Sequence, residues 1–215
     1  MLSFLRRVRP WPTVSLDRMR RDARLLVIDD GPFDYLTLFR DNGYTIEHWS
    51  DVQNLGELGR GVFDVIVLDI HGVGRELSAD QGLGVLRQVR RANPAQLIVA
   101  FSAKTFDLGD KQFLDLADAV LEKSADYVDF QATIDRLLEK HYSLSYYVER
   151  LRDLARRHIS DGAKLRAAAE LAILTLDVQP LQKYLARITI DLETRQNVEH
   201  IADSAIRTLE ALRAK

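Results

Sequence analysis

The chain contains no cysteine, which excludes a disulfide framework and a thiolate metal site and fits a reducing, cytoplasmic setting. It has no apolar run approaching the roughly 20 residues that a membrane-crossing helix requires. Its formal charge is only -2, so the chain as a whole has no pull toward nucleic acid. Gly/Ser linkers, low-complexity tracts and repeats of fixed period are lacking too. What is present is a sequence of 215 residues, 47% hydrophobic and 29% charged. That is the apolar fraction of a folded protein, with length for one large domain or two small ones.

The first residues stand apart. Six arginines against Asp17 and Asp22 make residues 1–23 a locally basic N-terminal arm. Basic residues interrupt its apolar stretch and no small-residue cleavage site follows, so it does not read as a signal peptide. The favoured reading is a mobile or docked terminal arm. The sharper alternative is a short amphipathic anchor at an anionic membrane or partner surface.

From Arg24 onward, short β-branched apolar runs alternate with segments of three- and four-residue periodicity. The runs predict strands at Leu25–Ile28, Thr45–Trp49, Val65–Leu68, Leu97–Phe101 and Ala119–Glu122. The intervening segments predict helices at Phe33–Arg40, Leu55–Leu58, Leu83–Arg91, Lys111–Leu116 and Tyr127–Lys140. Strict alternation implies parallel strands with right-handed crossovers, and the uninterrupted runs VIVL and LIVA suit central strands covered on both faces. The expected fold is α/β, an open five-stranded doubly wound parallel sheet. Such sheets carry their functional groups at the carboxyl ends of the strands.

Those ends are chemically specific. The first strand ends in Asp29-Asp30 and the third in Asp69, so three carboxylates converge and repel one another unless a cation joins them. An all-oxygen donor set with room for water suits Mg²⁺ better than zinc. The fourth strand adds Ser102, followed by small Ala103, and the fifth adds Lys123. An ionised Asp69 beside Mg²⁺, a hydroxyl and an ammonium is equipped to attack a phosphoryl group in line.

With VIDD, VLDI, Ser102 and Lys123 in this order, residues 24–140 resemble the response-regulator receiver domain of bacterial two-component systems, whose fold is a flavodoxin-like five-stranded sheet with five helices. The resemblance implies that Asp69 is the phosphoacceptor, and that Asp30 is a direct metal ligand and Asp29 a more water-mediated one. It further implies that His71 lends its backbone carbonyl to the metal, Ser102 is the switch hydroxyl and Lys123 contacts the phosphoryl group. In that family the donor is a phosphohistidine on a sensor histidine kinase or phosphotransfer protein. The implied role is a signalling switch rather than a metabolic enzyme, with only autophosphorylation and autodephosphorylation of its own.

Some positions depart from the family pattern. Gly72-Val73 replaces Met-Pro after the acceptor strand. The glycine that opens the third helix is delayed to Gly82 by an insertion containing Gly74, Arg75, Glu76, Ser78 and Asp80. Val120 stands where an aromatic switch residue is common, and Lys123-Ser124 replaces Lys-Pro. Asp69-Ile-His71-Gly-Val-Gly74 also matches the D-x-H-x-x-G signature of cobalamin-binding domains, but after the third strand instead of the first. That reading leaves Asp29, Asp30 and Lys123 unexplained.

Residues 141–215 carry helical periodicity only and are expected to form an all-helical dimerisation or output region. Ile134, Leu137, His141, Leu144, Val148, Leu151 and Ala155 follow a seven-residue repeat, which predicts either a continuous coiled-coil helix or a break around Ser143 followed by an antiparallel bundle. Further helices are expected at Ala163–Leu176, Leu181–Ile188 and Arg195–Leu212. Twelve Lys and Arg against ten Asp and Glu from His141 onward give no concentrated basic face and no helix-turn-helix pattern, which argues against DNA binding. His200 lacks the His-x-x-Lys-Gly surroundings of a phosphotransfer histidine. The expected output is association, through a homodimer or an unknown downstream protein. The alternative is an adaptor that uses the receiver fold as a scaffold without being phosphorylated.

Overall fold

The computed structural model describes residues 11–102, 116–155 and 162–214. It forms two compact units, Ser15–His141 and a second composed of Trp11–Val14 with the chain from Tyr142 onward. The stretch read as an N-terminal arm is thus divided between them, and its first ten residues lie outside the described residues.

The first unit opens with α1 (Leu16–Asp22), capped by Ser15, whose hydroxyl accepts from Arg18 N. Asp17 in the first turn and Arg20 and Arg21 in the last complement the helix dipole. A helix this short is marginal alone; burial of Met19 and the Arg20 bond to Asp135 (Nε to Oδ1, 3.0 Å) hold it in place. The unit continues through β1 (Arg24–Ile28), α2 (Leu36–Asp41), β2 (Thr45–Trp49), α3 (Leu55–Gly59), β3 (Val65–Asp69), α4 (Gln81–Ala92), β4 (Leu97–Ser102), β5 (Ala119–Glu122) and α5 (Tyr127–His141). The helix expected at Lys111–Leu116 lies outside the described residues apart from Leu116. All strand pairs are parallel and their order is β2-β1-β3-β4-β5, the flavodoxin-like arrangement. Every residue of β3 and β4 is buried, as expected of central strands covered on both faces.

Two layers flank the sheet. Leu26, Ile28, Ile66, Leu68, Ile98 and Ala100 meet Leu58, Val85, Leu86 and Val89 of α3 and α4 on one face. Opposite, Phe33, Phe39 and Phe130 form an aromatic cluster with Phe101, the Phe33 and Phe130 centroids lying 5.2 Å apart. Phe33 joins that cluster from a turn after Pro32, which is why α2 begins at Leu36 instead of Phe33.

The amino edge of the sheet is tied by side chains. Gln96 donates to Phe63 O (3.0 Å) and Asp64 O (3.2 Å), Arg90 Nε donates to Leu116 O (2.7 Å), and Arg90 is ion-paired with buried Asp118. Asp118 Oδ2 also accepts from Ile98 N at 3.0 Å.

The second unit is helical: α6 (Leu144–Ala155), α7 (Gly162–Thr175), α8 (Gln179–Leu185) and α9 (Leu192–Arg213). The uninterrupted helix through residues 134–155 does not form; α5 stops at His141 and α6 starts at Leu144, with Ser143 Oγ accepting from Tyr146 N. An N-cap hydroxyl inside the heptad pattern favours a new helix start. Val198, Ile201, Ala205, Leu209 and Leu212 of α9 are all buried, with α9 packed against α6 and α7. Tyr147 Oη and Thr208 Oγ1, 2.8 Å apart, make a buried bond across α6 and α9. His200 lies on the exposed side of α9. Among the described residues, no helix is long and apolar enough to cross a membrane.

Candidate phosphoryl-acceptor site

The strand order reverses at β1, whose neighbours are β2 and β3. Ligand-binding residues of doubly wound sheets cluster at the carboxyl side of such a point. Asp29 and Asp30 follow the last residue of β1 and Asp69 is the last residue of β3, with Ile28 in register with Leu68. One oxygen from each of Asp29, Asp30 and Asp69 lies within 4.8 Å of the others. Asp29 and Asp69 are buried, 3% and 2% exposed, whereas half of the Asp30 side chain faces solvent.

Lys123, one residue beyond β5, bridges the two buried carboxylates. Its Nζ donates to Asp29 Oδ1 at 2.9 Å and to Asp69 Oδ2 at 2.8 Å. Burial disfavours the ammonium, but the hydrogen bonds to Asp69 and Asp29 outweigh it and the Lys123 pKa lies above the ordinary lysine value. Lys123 N also donates to Ser102 O (2.7 Å), which joins the ends of β4 and β5, and the Ser102 side chain is buried. The same Asp29 oxygen, Oδ1, also accepts from Gly31 N (2.8 Å), and the other oxygen of Asp69, Oδ1, accepts from His71 N (3.1 Å). His71 itself is exposed.

Two glycines allow backbone to approach the acids closely. A Cβ on Gly82 would collide with the Asp69 carbonyl oxygen, so the first turn of α4 reaches β3 only with glycine there. A Cβ on Gly72, at φ +92°, would collide with the Asp30 carboxylate. A cavity of about 240 Å³ opens beside the acids, lined by Asp29, Phe33, Tyr35, Phe101 and Lys123 among others.

Asp29, Asp30, Asp69, Ser102 and Lys123 are therefore gathered at one sheet edge, and His71 touches that edge through its backbone. Ala103 lies outside the described residues. Val120 packs against the core on the α3 and α4 side. Sequence reasoning did not assign Arg75, whose guanidinium reaches to 4.0 Å from Asp30 Oδ2. It also missed the aromatic wall of the cavity. The signal for Arg75 was a lone cation in an insertion beside an acidic site. The donor set is all carboxylate, with one ammonium already engaged, and it suits a hard divalent ion.

No protein-family model and no curated protein matches the chain. Among solved structures it is similar to the chemotaxis protein CheY4 of Vibrio cholerae, at 20% identity and a TM-score of 0.44, over 54% of this chain and 98% of that one. It is similar also to a CheY-like response regulator receiver domain protein of Methanospirillum hungatei, at 21% identity and a TM-score of 0.44, over 55% and 94%. A third similar structure is the receiver domain of a sensor histidine kinase of Pseudomonas aeruginosa, with magnesium in its active site cleft, at 20% identity and a TM-score of 0.45, over 54% and 98%. The likeness to these structures covers about half of this chain, and the regular elements described from Tyr142 onward are all helices.

Proposed function

We propose that the Ser15–His141 unit accepts a phosphoryl group on Asp69 and signals through the helical unit. The observation that carries this reading is the Lys123 bridge between Asp29 and Asp69, beside a third carboxylate, at the carboxyl edge where the strand order reverses. An ammonium held on the acceptor is placed to follow the charge as it moves from carboxylate to phosphoryl oxygens.

In the transfer, an Asp69 oxygen forms a bond to phosphorus as the bond from phosphorus to the donor's imidazole nitrogen breaks. The nitrogen leaves with the electron pair. Asp29, Asp30 and Asp69, with the His71 carbonyl, would hold Mg²⁺, which supplies charge neutralisation at the phosphoryl oxygens when bound. Lys123 shares that charge, and Ser102 supplies a hydroxyl to the product state. Little covalent work is asked of the protein; positioning and electrostatics supply the rate.

The donor in this reading is a sensor histidine kinase or phosphotransfer protein, in the cytoplasm. The output is association of the helical unit, as a homodimer or with a downstream protein, and exposed Leu171 and Leu192 are apolar groups available for it. A full reversal of a two-state population requires a differential of about 5.5 kcal/mol. The test is incubation of the full chain with acetyl phosphate and Mg²⁺ followed by intact mass measurement. Wild type gains one phosphoryl mass and Asp69→Asn gains none; equal labelling of the two would remove Asp69 from the role. Light scattering with Mg²⁺ and beryllofluoride then reads the association step. An unchanged mass in solution would leave the helical unit without the proposed output.

A further inference from the structure

The loop between β3 and α4 is built rather than slack. Val73 is fully buried in the core, Gly74 N donates to Asp51 Oδ1 (2.6 Å), and Gly72 N donates to the Gln81 side chain (Oε1, 2.8 Å). Leu77 N and Ser78 N both turn back to Gly74 O at 3.0 Å. Gln81, the first residue of α4, has a φ of +52°, in the left-handed region that only surrounding contacts sustain in a residue of this kind. The insertion thereby closes into a turn anchored at both ends, and the residue it holds toward the acids is Arg75.

Charge placement gives Arg75 a definite task. Lys123 is committed to Asp29 and Asp69, the two buried acids. The half-exposed Asp30 is faced instead by the Arg75 guanidinium at 4.0 Å. Two-thirds of the Arg75 side chain is exposed. A divalent cation that takes Asp30 displaces the guanidinium by repulsion and by competition for the same oxygen. One oxygen of Asp30 and one of Asp69 are within 4.8 Å of each other, so the space in front of Asp69 adjoins the position that the guanidinium takes at Asp30. A phosphodonor brings its oxygens there, and the planar guanidinium fork matches two of them.

Resting on Asp69 as acceptor, we infer that Arg75 is a specificity-determining residue. It pairs with Asp30 in the metal-free site, and it binds the oxygens of an anionic phosphodonor once a divalent cation holds Asp30. It both weakens cation binding in the free site and aids binding of the donor's phosphoryl oxygens.

Full-length wild type, Arg75→Ala and Arg75→Lys test this by two readouts. In calorimetric titration with Mg²⁺ and no donor, Arg75→Ala binds more tightly by about two- to fivefold, the range of a partly exposed ion pair, while Arg75→Lys stays close to wild type. With acetyl phosphate at saturating Mg²⁺, Arg75→Ala raises the KM by a comparable factor while the limiting rate changes little, and Arg75→Lys recovers part of the difference. An Arg75→Ala protein with wild-type Mg²⁺ affinity, or with a wild-type KM, overturns the role of Arg75 alone. A wild type that takes no phosphoryl group from acetyl phosphate overturns the acceptor reading, and the role of Arg75 falls with it.

Discussion

The two edges of the same sheet use charge in opposite ways. At the amino edge Arg90 and Asp118 are ion-paired with side chains largely withdrawn from solvent, their other polar atoms are met by Leu116 O, Gln96 O and Ile98 N, and Lys140 lies 3.7 Å from Asp118 Oδ1. Among the described residues, three carboxylates at the carboxyl edge face one lysine and a more distant arginine. The first arrangement is matched within the protein and holds the strand ends in place. The second has an excess of negative charge that a cation would balance, the condition of a site rather than of a scaffold. The difference separates two kinds of polar burial in one small fold.

Asp118→Ala leaves the Arg90 guanidinium buried without its counter-ion, and urea unfolding should show a loss of about 3–5 kcal/mol. A loss below about 1 kcal/mol would mean that the amino edge is not electrostatically locked. Gly82→Ala drives a methyl group into the Asp69 carbonyl and should cost about 1–3 kcal/mol. The same variant should slow phosphorylation, since the acceptor strand must shift to make room.

Alkaline pH tests a third region, where α1 meets α5. Burial and the hydrogen bond to Asp135 raise the Tyr44 phenol above its ordinary value. A raised folded-state pKa means that stability is fully present below the unfolded value, about 10, and is lost as pH climbs from there through the folded value. Lys123 is raised too and adds in the same direction. Tyr44→Phe should flatten the decline seen by thermal unfolding above about pH 10; an equal decline in both proteins would assign it elsewhere. The smallest effect on stability belongs to the carboxyl edge. Asp30→Asn should leave the unfolding free energy within about 0.5 kcal/mol, yet weaken Mg²⁺ binding by calorimetry about tenfold or more. A large stability loss would make Asp30 a structural residue.

The contrast also explains what could be read from the sequence. The strands were legible to within a residue at each end because VIVL and LIVA are apolar on both faces, a pattern set by burial and independent of loop detail. Asp29, Asp30, Asp69, Ser102 and Lys123 were legible because strand ends in a parallel sheet fall at one edge by topology alone. The helix at Leu16–Asp22 was not, since it is short and basic and depends on Asp135, 115 residues away in sequence. The heptad pattern through residues 134–155 allowed both a continuous helix and a break, because apolar spacing does not report whether Ser143 caps a new helix. Arg75 was visible only as a member of an insertion. Its approach to Asp30 depends on the turn that Gly74, Asp51 and Gln81 build, and none of those bonds follows a sequence period.

The central claim, that Asp69 is the phosphoryl acceptor, is tested most directly by trapping the acyl phosphate. Wild-type protein treated with acetyl phosphate and Mg²⁺ is reduced with borohydride, digested and sequenced by mass spectrometry. Reduction of an aspartyl phosphate leaves homoserine, which should appear at position 69 and at neither Asp29 nor Asp30. Homoserine at another position, or unmodified Asp69 in protein that has gained a phosphoryl mass, would contradict the account.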